Sequence, residues 1–283
     1  MIKSIRTIMK QDKERYKVPR KVQDVIPIRH IWPDGIFQVG NKFTKMYRFT
    51  DINYLVASRE DKESMFLTYS ELLNSLDSGA TTKLTIYNHR QNRASFEKSI
   101  LMPMKEDGLD QYRKEYNQML LDKATGANGI MQEKYLTVSV ARKDVDEART
   151  YFSRIGADLS AHFAALGSKC MELTAAERLR MLHDFYRAGE ETTFDFDIKS
   201  MARKGHDIRD FICPDVIEKN KDYLILGDQY CRVLFLKDYA SYIKDSMVTE
   251  LTDLNRNMML SIDIIPVATD EAIKEIQKRI LAL

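Results

Sequence analysis

Cysteine is scarce in this chain, with three in 283 residues at positions 170, 213 and 231 and no C-x-x-C pair. Thiols so few and so far apart exclude a disulfide-built scaffold and fit a reducing cytoplasm. Long apolar runs are missing too. Val233–Leu236 is among the longest, far short of the roughly 20 residues that cross a bilayer. The N-terminus lacks the apolar core of a signal peptide, so membrane contact is expected to be peripheral or through a partner. An excess of one charge is also lacking. Lys and Arg total 44 against 42 Asp and Glu, a net +2, and no global field draws in nucleic acid or membrane.

Chemical motifs are equally sparse. A phosphate loop needs G-x-x-x-x-G-K-[ST] between a strand and a helix. The nearest stretch, GSKC at 167–170, has Cys170 in place of the hydroxyl and His162 five residues before Gly167. It reads as a glycine that ends a helix before a strand. The five histidines, at 30, 89, 162, 183 and 206, show no metal-ligand spacing. His183-Asp184 and His206-Asp207 are neighbours in sequence, and adjacent residues on a helix do not face each other. No G-x-S-x-G and no Cys/His nucleophile arrangement occurs. No catalytic, cofactor-binding or metal residue is therefore assigned.

What the chain does have is uneven charge and an internal repeat. Residues 1–21 carry Lys3, Arg6, Lys10, Lys13, Arg15, Lys17, Arg20 and Lys21 against Asp12 and Glu14, a net +6, leaving about −4 for the rest. These eight basic residues are the candidate contact with a membrane or partner. Tyr16 is the only aromatic in residues 1–21, so base stacking is poorly served and nucleic acid is not the expected ligand.

The repeat is FQVGNKFTKMYRFTD (37–51) and LILGDQYCRVLFLKD (224–238), 187 positions apart. In each, Gly-Asn or Gly-Asp between β-prone runs predicts a two-residue hairpin, with glycine at the first central position. A second echo, YLTVSVARKDVDEA and LSIDIIPVATDEA, joins a strand to a helix start.

Patterning predicts an α+β protein. Strands are expected at 42–49, 82–89, 133–141 and 169–173, with helices at 60–77 and 144–166. Ser58 with Asp61, Asp144 with Glu147 and Thr174 with Glu177 mark helix starts. The order β-α-β-β-α-β is that of a ferredoxin-like split βαβ unit, here with a helical insertion at 108–124. RNA-binding members of that class carry K/R-G-F/Y-G/A-F-V-x-F/Y on a central strand, which neither KYLTVSVAR nor FTKMYRF provides. The expected organisation is a basic arm at 1–35, a first module at 36–189, a polar linker at 190–221 and a related ββαβ module at 222–283. The last module is expected to be truncated, because the sequence stops at ILAL inside a helix pattern.

Four stretches resemble the N-terminal part of type IV secretion ATPases of the CagE/TrbE/VirB family (the fourth VirB component), above all forms from conjugative elements of Gram-positive bacteria. They are RKVQDVIPIRHIWPDGIFQVG (20–40), NGIMQEKYLTVSV (128–140), LTAAERLRMLHDFYR (173–187) and RKGHDIRDFICPD (203–215). The resemblance implies the non-catalytic N-terminal domain of a conjugal transfer motor, peripheral to the inner face of the plasma membrane. Its implied partners are inner-membrane channel components, its own C-terminal ATPase domain and further copies of itself. ATP and Mg²⁺ would belong to that C-terminal domain, and no nucleotide-binding residue carries over to this chain. A nucleic-acid-binding protein or a free-standing adaptor of a mobile element is the alternative expectation.

Overall fold

The computed structural model describes residues 19–54, 56–90, 101–126, 130–199, 201, 205–238, 242 and 246–280. Among these lie ten strands: β1 (Ile28–Ile31), β2 (Phe37–Val39), β3 (Lys42–Phe49), β4 (Ala80–Arg90), β5 (Ile130–Val140), β6 (Cys170–Glu172), β7 (Ile217–Lys219), β8 (Leu224–Leu226), β9 (Gln229–Cys231) and β10 (Met258–Ile264). Six α-helices accompany them: α1 (Arg59–Asn74), α2 (Asp110–Gly126), α3 (Val145–Ala165), α4 (Ala175–Tyr186), α5 (Ser246–Thr252) and α6 (Thr269–Ile280). The fold is mixed α/β around an antiparallel sheet of seven strands.

Along that sheet the order is β1-β2-β3-β5-β4-β10, and β6 joins the edge of β3 beyond β2. Every pairing is antiparallel. Alternation along the strands gives the sheet two faces. On one, Phe43, Tyr47, Leu136, Val138 and Val140 meet Leu72 and Leu76 from the α1 side and Ala148, Phe152, Ile155, Leu159 and Phe163 of α3. These α3 residues recur at helical spacing on one face, and burying a side chain such as Leu159 stabilises the fold by about 1.5–3 kcal/mol. On the α1 side burial is less complete. Leu72 and Leu76 are buried while Tyr69 is exposed, because α3 rather than α1 covers the centre of the sheet.

The helix starts follow their caps. Ser58 Oγ accepts from the Asp61 amide, Asp144 from the amides of Asp146 and Glu147, and Thr174 with Glu177 forms a reciprocal capping box. Gly167, at φ +79, ends α3, and the Ser168 amide donates to Phe163 O.

Both hairpins of the repeat form. Gly40 and Gly227 take φ of +60 and +56 between Val39↔Lys42 and Leu226↔Gln229. Their sequels differ. β3 runs on for eight residues, seven of them paired with β5, whereas β9 ends at Cys231, since β8 offers only three residues to pair with. The strand expected to complete a second module, β10, lies instead on the edge of the large sheet against β4. β7, β8 and β9 make a separate three-stranded sheet.

Candidate functional site

Where α4 crosses the second face of the sheet, it leaves a groove of about 440 Å³ lined by Arg48, Tyr87, His89, Glu133, Tyr135, Arg180, Asp184 and Phe194 among others. The floor follows from strand register. Tyr87 and His89 are two apart on β4 and share a face, their rings stacked at 4.8 Å. Glu133 and Tyr135 stand on β5, with Tyr87 opposite Glu133. Met181 of α4 packs on Met46, Tyr87 and Tyr135 and closes one side.

Glu133 is the electrostatic centre. It accepts from Tyr135 Oη at 2.7 Å and sits 3.5 Å from Arg48 and 3.4 Å from His89 Nε2. The last contact is within ion-pair range but outside hydrogen-bonding geometry. Burial opposes charge on His89, but the Glu133 carboxylate outweighs it and the imidazole pKa rises above its ordinary 6.5. Burial also opposes charge on Glu133, and His89 with the Tyr135 hydroxyl overcomes it, so that carboxyl falls below 4.5. Burial, aided by Glu133, pushes the Tyr135 phenol far above its normal range.

A second pair lies on α4. Arg180 Nε bonds both Asp184 oxygens at 3.1 and 3.0 Å. His183 Nδ1 lies 3.1 Å from Asp184 Oδ1, and its Nε2 lies 3.3 Å from Thr193 Oγ1. These two neighbours on α4 do meet, contrary to the expectation for adjacent helical residues, because the Asp184 carboxylate that pairs with Arg180 also reaches the buried ring. With both nitrogens engaged, His183 pins the 191–193 turn to α4. Glu133, Glu177, Asp184 and Glu191 face Arg48, Arg90 and Arg180 across the groove, a balance that gives a phosphate backbone little to hold.

The sequence-predicted contact residues lie elsewhere. Arg20 and Lys21 are exposed at the start of the described chain, while Lys3, Arg6, Lys10, Lys13, Arg15 and Lys17 fall outside the described residues. Neither Arg20 nor Lys21 is brought to the groove. Among the described residues no three His, Cys, Asp or Glu side chains are grouped to hold a metal ion. No described helix is long and apolar enough to cross a membrane.

A second surface was invisible to motif reasoning. Helix α2, inserted between β4 and β5, contributes to none of the buried apolar clusters among the described residues. It is held by its own leading loop. Asn117 bonds both the amide and carbonyl of Met102, at 2.8 and 3.0 Å, and Asp110 caps the amides of Lys105 and Glu106. That arrangement leaves Leu109, Tyr112, Tyr116 and Met119, at helical spacing, 54, 68, 44 and 42% exposed. Their periodicity was the available signal.

No family model matches this chain, and no curated protein matches it.

Proposed function

We propose that this chain is a non-catalytic docking domain of a conjugative type IV secretion motor, one that holds the ATPase against inner-membrane channel components during DNA transfer. The observation that carries the reading is where the resembling stretches lie. Three of the four supply one buried cluster: Ile26, Ile28 and Phe37 from residues 20–40, Ala175 and Leu179 from 173–187, and Ile212 and Cys213 from 203–215. The fourth forms β5, the central strand between β3 and β4. The resemblance thus falls largely on residues that maintain a fold, as a docking domain requires, while two of the stretches also carry the groove residues Glu133, Tyr135, Arg180 and Asp184.

The unit β3-α1-β4-β5-α3-β6 is read as a ferredoxin-like split βαβ arrangement. Its strand order β6-β3-β5-β4, antiparallel throughout, and the packing of α1 and α3 on one face support that reading. The inserted α2 is the proposed docking element, because aromatic and methionine side chains exposed in one stripe are the composition of an interface core.

The test is co-purification of the chain with detergent-solubilised channel components of the conjugative element that encodes it. Retention that drops at least tenfold in Tyr112→Asp/Tyr116→Asp, with the melting temperature unchanged, is the expected result. Retention unaffected by that double substitution would remove α2 from the account.

A further inference from the structure

Three apolar surfaces near the end of the described chain have no partner in it. Val233, Leu234 and Phe235 are 72, 80 and 81% exposed although their sequence is strongly β-prone. Among the described residues, β10 pairs only with β4 and leaves its outer edge free. Helix α6 turns Ile273, Ile276 and Ile280 to solvent.

The internal repeat says what these surfaces are for. An offset of 187 maps Phe43, Thr44 and Tyr47 of β3 onto Tyr230, Cys231 and Leu234. An offset of 124 maps Leu136, Val138 and Val140 of β5 onto Leu260, Ile262 and Ile264, and Ala148 and Phe152 of α3 onto Ala272 and Ile276. In the first unit these residues are each other's partners. β3 pairs antiparallel with β5, Phe43↔Val140, Thr44↔Ser139 and Tyr47↔Leu136, and α3 lies over them in the same core.

We propose that residues 230–237 close as an antiparallel strand on the free edge of β10 in the same chain, in the register Tyr230↔Ile264, Cys231↔Asp263 and Leu234↔Leu260, with α6 covering the new pair as α3 covers the old. Leu260, Ile262 and Ile264 stand opposite Ile86, Leu84 and Thr82 and share their face, so the register continues the apolar face already built. The segment that follows the strand is long enough for it. Asn88 Nδ2 donates to Thr252 O at 2.5 Å, and Asn88 stands opposite Met258. Helix α5 is thereby held at the end of β10 where an antiparallel strand 230–237 would finish, and residues 238–257 need only leave and return at that one end. A tether of that length also favours closure within the chain over capture by a second copy.

Cys231 makes the register testable with one substitution at an exposed position. In Asp263→Cys, mild oxidation with diamide joins two thiols as a disulfide and reduces the diamide by two electrons and two protons. Cross-strand partners fall within disulfide reach, whereas a diagonal neighbour lies about 7–8 Å away. The expected result is a disulfide within one chain between Cys231 and the thiol introduced at position 263, mapped by peptide mass. It should form at least about tenfold faster than the bond from Cys231 to position 261 in Ser261→Cys. In the unsubstituted chain, the alternate amides of 232–237 that point toward β10 should exchange at least about tenfold more slowly than an unstructured peptide. Equal rates at the two positions, a bond between chains, no bond at all, or unprotected amides would overturn the proposal.

Discussion

The guanidinium of Arg178 is held by oxygens that carry no formal charge. It is fully buried, donates to Gly35 O at 2.6 Å, Thr44 O at 2.8 Å and Thr44 Oγ1 at 3.0 Å, and lies 3.9 Å over the ring of Phe37. Burial pulls its pKa below the usual arginine range, yet the planar fork suits this set of acceptors as an ammonium would not. Arg178→Met should cost roughly 2–4 kcal/mol in urea unfolding, because the acceptors lose their donors in a dry site; a stabilised variant would contradict this role. His89 and Glu133 give a pH signature. The raised imidazole pKa contributes stability that is present below 6.5 and lost as pH rises through the folded value. The lowered carboxyl contributes above 4.5 and is lost as pH falls through its folded value. Stability from the pair is therefore fullest between 4.5 and 6.5, and Glu133→Gln should flatten the decline of the urea midpoint above pH 6.5. An unchanged slope would mean that the pair is energetically silent.

At the scale of elements, Gly35 decides how the β1–β2 connection meets α4. It has φ +80, and a Cβ there would lie 1.9 Å from Leu173 O, a backbone atom with no freedom to retreat. Gly35→Ala should therefore destabilise by more than about 2 kcal/mol, measured by urea unfolding; a loss under about 0.5 kcal/mol would mean that the two segments separate easily. Helix α3, which carries Phe152, Ile155 and Leu159, was legible in the sequence because one strong period and one cap specify it. The hairpins were legible because Gly40 and Gly227 supply the positive φ their turns need. The groove was not, since Glu133, His89 and Asp184 come from separate strands and a helix and meet only through register. Nor was the placement of β10, because its pairing with β4 joins segments far apart in the sequence, Ile264 with Thr82 for instance, and leaves no local mark. The short β9 has the same origin: Val233 to Leu236 favour a strand, but a ladder needs a partner.

For the whole molecule, residues 1–21 carry a net +6 while the rest of the sequence carries about −4. The arm should bind vesicles rich in anionic lipid weakly and lose that binding as salt rises toward about 0.5 M, where the screening length falls to about 4 Å. Deleting residues 1–21 should abolish it, and equal binding to neutral vesicles would contradict an electrostatic contact. Such attraction would only bring the chain to the surface; in the proposed function the docking itself falls to the α2 stripe and a channel partner. The most direct test of that account is a binding titration of the labelled full chain against the purified, detergent-solubilised channel complex of the conjugative element to which the proposed function assigns it. The account predicts saturable binding, at roughly micromolar strength, that competes with unlabelled chain but not with Tyr112→Asp/Tyr116→Asp. Binding that never saturates, or that the double variant competes away as well as the native chain, would contradict it.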